Sequence, residues 1–274
     1  MNLSIMSFNI RFGTAKDGKD SWHIRRPLVV KTLLQHSCDI FGLQEALKFQ
    51  LDEIITDLPN FNFIGVGRED GIHKGEHTAI LYKKSKFDLI ESSTFWFSET
   101  PEIAGSCHWG NRSPRICTWA LLKEKGQKSY FYIYNVHLDH RSQYSRQKSC
   151  ELLSHRICSR KYKAPVIITG DFNAVENNEI IKFLRGVRSM RSGKSNVFPL
   201  SDAYRAVHPK ALGGTLHLFR GIRYGPRIDF IFADPHFKVL SSEIIRSHFN
   251  NKYPSDHFPL LALLHGRDYR IGTS

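Results

Sequence analysis

Short apolar runs alternate with polar turns along most of the 274-residue chain. Runs of four to eight residues that are rich in Ile, Val, Phe, Tyr and Leu, and that are bounded by turn residues, are typical of β-strands. The pattern predicts strands at residues 3–10, 39–43, 61–66, 78–82, 115–122, 130–136, 166–169, 228–232 and 258–263.

A second pattern places apolar residues three and four positions apart, the spacing of one helix face. Leu51, Ile54, Ile55 and Leu58 follow it. Strand and helix patterns alternate at both ends of the chain, whereas the middle, about 61–136, is mostly strand. This arrangement favours a layered α/β sandwich of mixed sheets covered by helices over a purely parallel sheet. The predicted helices are at residues 26–35, 47–58, 145–158 and 179–184.

We expect a single domain over residues 1–274, with its core at about 3–264. A length of roughly 150 residues per domain would allow two domains, but layered α/β enzymes often reach this size as one unit. The sequence shows no repeat and no Pro- or Ser-rich linker. Apolar residues make up 41% of the chain and include 19 Phe, which is enough for a sizeable core and argues against disorder.

The chain is basic, with 39 Lys and Arg against 26 Asp and Glu and a formal net charge of +13. Such a field attracts polyanions, among them nucleic acids, phosphorylated sugars and anionic lipid headgroups. The basic residues are spread along the chain and are locally enriched at 156–163 and 185–194. These residues form either a solubilising surface or a surface that attracts polyanions. The charge therefore bears on possible anionic partners and does not indicate a reaction.

Five cysteines without a CxxC pair argue against a disulfide framework, and Cys117 and Cys150 lie in apolar patterns typical of buried free thiols. The N-terminus has no charged start followed by a long apolar run, and no stretch approaches the roughly 18 apolar residues of a membrane span. We therefore expect a cytoplasmic protein without membrane insertion, with export by another route left open. The sequence does not indicate an oligomeric state.

Polar side chains lie at or just beyond the ends of six apolar runs, where α/β proteins usually assemble their sites. Each one alone has an ordinary explanation as a helix cap or an Asx-turn. Together they favour a site, because burying such groups without partners costs roughly 1–3 kcal/mol each. The residues are Asn9, Arg11, Gln44, Glu45, His137, Asp139, His140, Asp171, Asn173, Asp229, Asp256 and His257.

Six motifs, SFNIR, GLQE, NVHLDH, GDFN, RIDFIF and SDHFP, follow one another between Met6 and Leu263. This set resembles the endonuclease/exonuclease/phosphatase superfamily, which also contains deoxyribonuclease-I-like enzymes. The resemblance implies a four-layer α/β sandwich, with two mixed β-sheets face to face and helices on the outside. It also implies hydrolysis of phosphate esters with Mg²⁺, or with Mn²⁺ as a possible substitute.

Carried over by motif, Glu45 would be the main metal ligand, with Asn9 beside it and Asp256 contributing from another strand. Carboxylate and amide oxygens suit a hard cation that keeps several waters and binds substrate phosphate. The sequence lacks a cluster of Cys or several His ligands, which argues against zinc. The resemblance leaves open whether one or two metals bind.

The resemblance also implies catalytic roles. His257 would act as general base or as a phosphate contact, and Asp229 would fix its tautomer. Asp171 and Asn173 would orient the attacking water, and His137 would donate to a non-bridging oxygen. Whether Asp171 or His257 removes the proton stays open at this point.

The segments FWFSETPE, PRICTWALL and GTLHLFRG resemble a group of small bacterial-type members of the superfamily. They indicate Arg115, His140, His217 and Arg11 as candidate substrate contacts, because a loop Arg can hold phosphate bidentately. His140 could read a terminal phosphate or cap the helix that follows. Trp119 could stack on a base or sugar, but its alternation with a cysteine in a strand favours the core.

Several functions fit these residues. We favour a phosphatase or phosphodiesterase acting on a small phosphorylated molecule, with a Mg²⁺-dependent nuclease acting on DNA or RNA as the alternative supported by the charge. No DNA-binding module is apparent in the sequence. A lipid phosphodiesterase would need an apolar interfacial segment, which does not stand out. A catalytically inactive phosphate-binding module is least favoured, because Glu45, Asp171 and His257 are all present.

Overall fold

Two mixed β-sheets of six strands each form the centre of the computed structural model, which describes residues 1–190, 192–196, 198–267 and 269. The first sheet has the strand order β11-β12-β1-β2-β4-β3, and the second has the order β5-β6-β7-β8-β10-β9. The strands are β1 Asn2–Asn9, β2 Ile40–Ala46, β3 Phe61–Ile64, β4 His77–Lys83, β5 Phe87–Trp96, β6 Ile116–Glu124, β7 Tyr130–His137, β8 Val166–Asp171, β9 Ser201–Asp202, β10 Asp229–Ala233, β11 Phe237–Ile244 and β12 Leu260–Gly266.

The two sheets share one connectivity pattern. In each, the central pair is parallel, β1 with β2 and β7 with β8, and the other neighbouring pairs are antiparallel. Parallel neighbours need a long crossover, which helices α1 and α3 supply. The α-helices are α1 Trp22–His36, α2 Lys48–Asp57, α3 Gln143–Cys158, α4 Glu179–Leu184 and α5 Ala203–Val207, with one 3-10 turn at Gly18–Asp20.

Three apolar clusters hold four layers together. Val29 of α1 and Leu51 of α2 belong to a cluster on the outer face of the first sheet. Leu153 of α3 belongs to a cluster on the outer face of the second sheet. Between the sheets, Ile5 and Ile133 lie in a third cluster to which both sheets contribute. The expected four-layer α/β sandwich is therefore confirmed, and each fully buried Leu or Ile stabilises it by about 1.5–3 kcal/mol.

The strands that the pattern missed are mostly edge strands. β5 and β11 form the outer edges of the two sheets, and both are largely solvent-exposed. Natural edge strands often carry polar or charged side chains that discourage pairing with other chains. Such strands lack the apolar run that identifies a buried one. The two-residue β9 and the five-residue α5 are too short to show a period.

Helix α1 begins at Trp22, four residues before the predicted start. Pro27 lies inside the helix. Cys117 and Cys150 are buried and free, as predicted. None of the helices in the described residues combines the length and apolar character that crossing a membrane requires.

Candidate active site

The topology explains why polar residues far apart in the sequence meet. Asn9, His137 and Asp171 are the last residues of their strands, and Glu45 is the penultimate residue of β2. Strand β10 is antiparallel to β8, so its first residue, Asp229, lies directly opposite Asp171. His137 lies opposite Asp171 on the other side. The carboxyl ends of the parallel strands, together with the starts of their antiparallel neighbours, thus form one site at one end of the sandwich.

Asn9 joins the two sheets at this end. Its Nδ2 donates to Glu45 Oε1 at 3.0 Å and to Asp171 Oδ2 at 3.1 Å. Its Oδ1 accepts the backbone N–H of Arg11 at 3.0 Å, which defines the orientation of the amide. Glu45 Oε2 accepts the backbone N–H of Phe12 at 3.1 Å. Among the described residues no ion pair involves Glu45, and its two hydrogen-bond donors are neutral.

Three site residues have left-handed backbone conformations that side chains rarely adopt. The φ angles are 60° at Arg11, 61° at Glu45 and 48° at Asn173. Asn173 donates its backbone N–H to Asp171 Oδ1 at 2.8 Å and its Nδ2 to the Leu138 carbonyl at 3.0 Å. Backbone strain of this kind costs roughly 1–3 kcal/mol per residue and concentrates at functional sites. The strain supports a functional role for this end of the sandwich.

Asp229, His257 and Asp171 form a chain of buried titratable groups. Asp229 Oδ2 lies 2.9 Å from His257 Nδ1, and His257 Nε2 lies 3.9 Å from Asp171 Oδ2. Burial alone would lower the pKa of His257, but the hydrogen-bonded Asp229 carboxylate raises it well above its usual value. Burial and the Asp229 charge raise the pKa of Asp171. The two groups are therefore poised to share a proton.

The donor atoms of these same three residues lie within 4.8 Å of one another, close enough to hold a metal ion. The 2.9 Å contact, however, needs a proton on His257 Nδ1, and a cation between the two atoms would displace it. The geometry favours a proton relay over a metal centre at this position. Asp229 Oδ1 is buried without a hydrogen-bond partner, which marks the relay as incomplete without a ligand or water.

His137 faces three groups. Its Nε2 lies 3.6 Å from Asp171 Oδ2 and 3.3 Å from Arg115 Nη1, and its Nδ1 lies 3.6 Å from Glu76 Oε2. Burial, reinforced by the Arg115 charge, holds the pKa of His137 well below its usual value. The imidazole is thus neutral near pH 7, with one N–H to donate.

Arg115 connects the site to its basic wall. Its Nη2 lies 3.0 Å from His140 Nδ1, and its Nε lies 3.5 Å from Asp139 Oδ2. Burial and the neighbouring Arg115 lower the pKa of His140. Both side chains line the cleft, so the structure places Arg115 and His140 where the sequence predicted substrate contacts.

The cleft has a volume of about 370 Å³. Leu216, Leu218 and Ile228 add apolar surface to a lining that is otherwise largely polar. The cleft is lined by Arg11, Phe12, Glu45, Arg68, Glu76, Ser113, Arg115, His137, His140, Asp171, Asn173, Leu216, Leu218, Ile228, Asp256 and His257.

His217 differs from its prediction as a substrate contact. It is buried beneath the cleft, where its ring stacks on Phe258 with centroids 3.8 Å apart and its backbone N–H donates to the Asp256 carbonyl. Burial and the nearby His257 lower the pKa of His217 to about 4. A neutral ring stacked on a phenyl ring supports the Asp256 loop, and His217 is not among the residues that line the cleft. The position of His217 in the sequence, in the loop ahead of Asp229, could not distinguish a substrate contact from a residue that supports a loop.

Sequence reasoning missed Arg68 and Glu76. Arg68 Nη1 lies 2.7 Å from Glu76 Oε2, and both residues line the cleft. Glu76 directly precedes β4, which is antiparallel to β2, so it reaches the same sheet end as Glu45. The rule that located the other residues, a polar side chain beside a strand terminus, applies to Glu76 as well and was the signal available.

Arg25 was also missed, because it lies just before the predicted helix at 26–35, in a segment with no strand or helix prediction. It is 1% exposed. Its guanidinium donates to the carbonyls of Ile10 and Pro254 at 2.8 Å, of Asp20 at 2.5 Å and of Arg11 at 3.3 Å. These bonds tie the loop after β1 to the loop before β12. Arg25 therefore positions two loops that carry site residues, and nothing in its local sequence indicated this.

A family model described as the Endonuclease/Exonuclease/phosphatase family matches residues 6–257. The fold is similar to an endonuclease/exonuclease/phosphatase from Bacteroides vulgatus, with 32% identity and a TM-score of 0.88 over 97% of this chain and 100% of that one. A mannosyl-6-phosphatase from Bacteroides thetaiotaomicron is 33% identical, with a TM-score of 0.84 over 96% and 99%. Nocturnin from Rattus norvegicus is 24% identical over 94% of this chain, which spans 63% of that protein.

Proposed function

Because the chain belongs to the endonuclease/exonuclease/phosphatase family, whose members hydrolyse phosphoester bonds, we propose that it is a metal-dependent hydrolase of small phosphomonoesters or phosphodiesters. The observation that carries this proposal is the buried relay of Asp229, His257 and Asp171 at the floor of the cleft. Such a relay suits the activation of water for in-line attack on phosphorus.

In the proposed reaction, the attacking water gives up a proton to the pair formed by Asp171 and His257. Asp229 raises the pKa of His257 well above its usual value and so holds it as an imidazolium, and Asp171, made a stronger base by its own raised pKa, takes the proton while it is ionised. Asn9 and the Asn173 backbone hold the two Asp171 oxygens in place through hydrogen bonds. The pair acts as one base, because the proton is shared across both groups.

The negative charge of the phosphate would be stabilised by the wall of the cleft that Arg115 and its neighbours form. Arg115 presents two guanidinium nitrogens on this wall, and one of them donates to Nε2 of the neutral His137. The His137 N–H is therefore on Nδ1, and we propose that it donates to a non-bridging oxygen. His140 extends this wall. Donors fixed before the reaction stabilise charge as it develops in the transition state. Arg11 and Asp17 form an ion pair near Asp256, so we propose for Arg11 a supporting contact at the rim.

Enzymes of this family generally use divalent metal ions. We propose Mg²⁺, with Mn²⁺ as a substitute, and Glu45, Asn9 and Asp256 as the residues that would hold it. Glu45 and Asp256 offer carboxylate oxygens, which suit a hard cation. Asn9 presents Nδ2 to Glu45 and turns Oδ1 to the Arg11 N–H, so its amide would have to flip to bring an oxygen to the ion. When bound, the ion would polarise the phosphoryl oxygens and neutralise negative charge. Asp171 and His257 would still take the proton from water, and His137 and Arg115 would still contact the phosphate.

The size of the cleft supports a small substrate. About 370 Å³ lies within the roughly 300–1,000 Å³ typical of small-molecule sites. The similarity to a mannosyl-6-phosphatase makes a sugar phosphate a suitable first candidate. A nuclease is the second candidate, favoured by the +13 formal charge, which would attract DNA or RNA.

The protein should be tested on p-nitrophenyl phosphate, bis-p-nitrophenyl phosphate, a panel of sugar phosphates, plasmid DNA and single-stranded RNA under one metal condition. Turnover of the small esters with little cleavage of nucleic acid supports the first candidate. Nucleic-acid cleavage that weakens steeply with salt, by a log–log slope of about −0.9 per phosphate contact on duplex DNA, supports the second. No turnover of any substrate would leave only an inactive phosphate-binding module.

We also propose that the chain forms one domain located in the cytoplasm. The cluster between the sheets draws on strands from both ends of the chain, which supports a single folding unit. All five cysteines are free, which suits a reducing compartment.

A further inference from the structure

A second cleft, here called the outer cleft, lies on the second sheet away from the first. Side chains alternate along β7, so Ile133 packs between the sheets while Tyr132 and Tyr134 pack on the α3 side. The outer cleft has a volume of about 190 Å³. Its lining residues are Glu91, Trp119, Tyr132, Tyr134, Arg156, Ser159, Arg160 and Lys161.

The floor of the outer cleft is aromatic. The ring centroid of Trp119 lies 5.8 Å from that of Tyr132 and 6.3 Å from that of Tyr134, and the two tyrosine rings are 6.1 Å apart. Both tyrosines are buried, whereas Trp119 is only partly buried. The sequence favoured a core position for Trp119. The structure shows that it packs against the core and also faces the outer cleft, where its remaining surface is available for stacking.

The rim of the outer cleft is basic. Arg156 lies in the last turn of α3 and pairs with Glu102. Arg160 and Lys161 follow the helix, and among the described residues neither has a carboxylate within ion-pair distance. Arg160 donates from Nε to the Ala164 carbonyl and from Nη1 to the Ile157 carbonyl, which leaves Nη2 for a phosphate. Cations near a helix C-terminus favourably meet the helix dipole, but that effect does not require them to surround aromatic rings. The helix dipole therefore does not fully explain the basic enrichment at 156–163. These residues also surround the aromatic floor of the outer cleft, which suggests an anionic, stacking ligand.

We propose that the outer cleft binds one nucleotide unit of a single-stranded nucleic acid. The base would stack on Trp119, and Arg160 with Lys161 would contact its phosphate. Glu91 would accept a hydrogen bond from the base or the ribose. Aromatic stacking combined with a basic groove is the usual means of binding single strands without sequence preference. A volume of about 190 Å³ is below that of most small-molecule sites and admits one nucleotide rather than a duplex.

Binding at the outer cleft is independent of catalysis in the central cleft, and the experiment separates the two. The affinity of a fluorescein-labelled single-stranded hexanucleotide is measured by anisotropy in EDTA, so that no hydrolysis occurs. The Arg160→Gln/Lys161→Gln variant is compared with Lys84→Gln/Lys238→Gln, which removes the same charge from exposed positions in the turn after β4 and on β11. Thermal melting of each variant checks folding.

We expect Trp119→Leu to weaken hexanucleotide binding roughly 5- to 150-fold, the range for losing one base stack. Arg160→Gln/Lys161→Gln should weaken binding and also reduce its salt dependence, while the control pair changes both much less. Turnover of p-nitrophenyl phosphate should be unchanged in these variants, because no lining residue of the outer cleft belongs to the central one.

Three results would overturn the proposal. The first is a folded Arg160→Gln/Lys161→Gln variant that binds as tightly as the control pair. The second is that inorganic polyphosphate of equal charge binds as tightly as the hexanucleotide. This would show that electrostatic attraction alone, without base stacking, accounts for binding. The third is the absence of measurable hexanucleotide binding at low salt. Failure of catalysis on every phosphoester, by contrast, would affect only the proposed function.

Discussion

Arg227 and Asp229 are two residues apart on the chain but belong to two different charge clusters, and the carboxylates of the two clusters have different partners. In the first, here called the arginine cluster, Arg227 contacts both oxygens of Asp202, at 3.1 and 2.7 Å. Arg227 also lies 3.1 Å from Glu176 Oε2, and Arg205 donates to both Glu176 oxygens. Each carboxylate there faces a guanidinium that stays charged at all working pH values.

In the second, the site cluster of Asp171, Asp229 and His257, the carboxylates face an imidazole and each other. An imidazole can release its proton, so the cluster keeps a mobile proton that the arginine cluster lacks. The pKa values of Asp171 and His257 are both raised, the first by burial and the Asp229 charge and the second, against burial, by Asp229. Carboxylates that are each paired with a guanidinium stabilise the fold. Carboxylates that face an imidazole and each other can exchange a proton, which makes the site reactive.

The largest expected effect is the loss of activity in Asp171→Asn. Removing a general base typically lowers the rate about 10²–10⁴-fold. The folded state raises the pKa of Asp171, so it disfavours the ionised carboxylate, and a neutral amide should leave the melting temperature unchanged or higher. Asp88→Asn, at an exposed pair with Lys125, is the matched control. Full phosphoester turnover in Asp171→Asn would remove this residue from the mechanism.

Arg227→Met should produce the opposite pattern. It leaves Asp202 buried without its guanidinium, and breaking a buried pair from one side costs about 3–5 kcal/mol of unfolding free energy. Chemical denaturation measures this loss, and the double variant Arg227→Met/Asp202→Asn should recover part of it. If the single variant loses turnover but keeps its stability, the division between the two clusters fails.

Arg115→Lys tests the basic wall that faces the site cluster. Lysine keeps the charge but cannot reach His137 and His140 with two nitrogens from one planar group. Charged hydrogen bonds contribute about 1.5–3 kcal/mol, so we expect kcat/KM to fall roughly 10- to 100-fold. Steady-state kinetics on a small phosphoester measures the change. An unaltered kcat/KM would show that Arg115 contributes charge alone.

Asp39→Asn should have the smallest effect, because its partners are partly exposed lysines. Asp39 pairs with Lys83 at 3.3 Å and Lys86 at 2.7 Å and accepts the Ser4 N–H at 3.0 Å. Burial alone would raise the pKa of Asp39, but Lys86 and Ser4 lower it below its usual value of 3.8.

The folded pKa of Asp39 is therefore below the unfolded one, so its contribution is present above pH 3.8 and is lost as the pH falls through the folded pKa. We expect a loss of about 1 kcal/mol at pH 7, measured by denaturation. The difference from the unsubstituted protein should shrink at acid pH. A difference that grows on acidification would reverse the sign of the argument.

Much of the fold could be predicted because its buried strands carry apolar runs. Strand β8 reads as VIITGD and is buried throughout, so its run was visible. Strand β5 exposes Glu91 and its neighbours on both faces, so its edge position depends on partners that no local pattern reveals. Helix α4 was predicted with its observed bounds, Glu179–Leu184, because its apolar period is uninterrupted.

The site was predictable where a residue ends a strand and was not where tertiary packing decides. Glu45 is the penultimate residue and Asp171 the last residue of a buried strand, and the structure brings both into the cleft. His217, predicted as a substrate contact, lies outside the cleft lining, because it stacks on Phe258, a residue 41 positions away that its local sequence does not reveal. Arg25 forms its contacts with carbonyls, which every residue has, so its role left no mark in the sequence.

The central claim is that the carboxylates of this cleft act on phosphoesters together with a divalent cation. The direct test is turnover of bis-p-nitrophenyl phosphate and p-nitrophenyl phosphate in EDTA and after Mg²⁺ is added back, for the unsubstituted protein and for Glu45→Gln. We expect EDTA to abolish turnover and Mg²⁺ to restore it in the unsubstituted protein alone. Turnover that persists in EDTA, or that Mg²⁺ restores equally in Glu45→Gln, would contradict the claim.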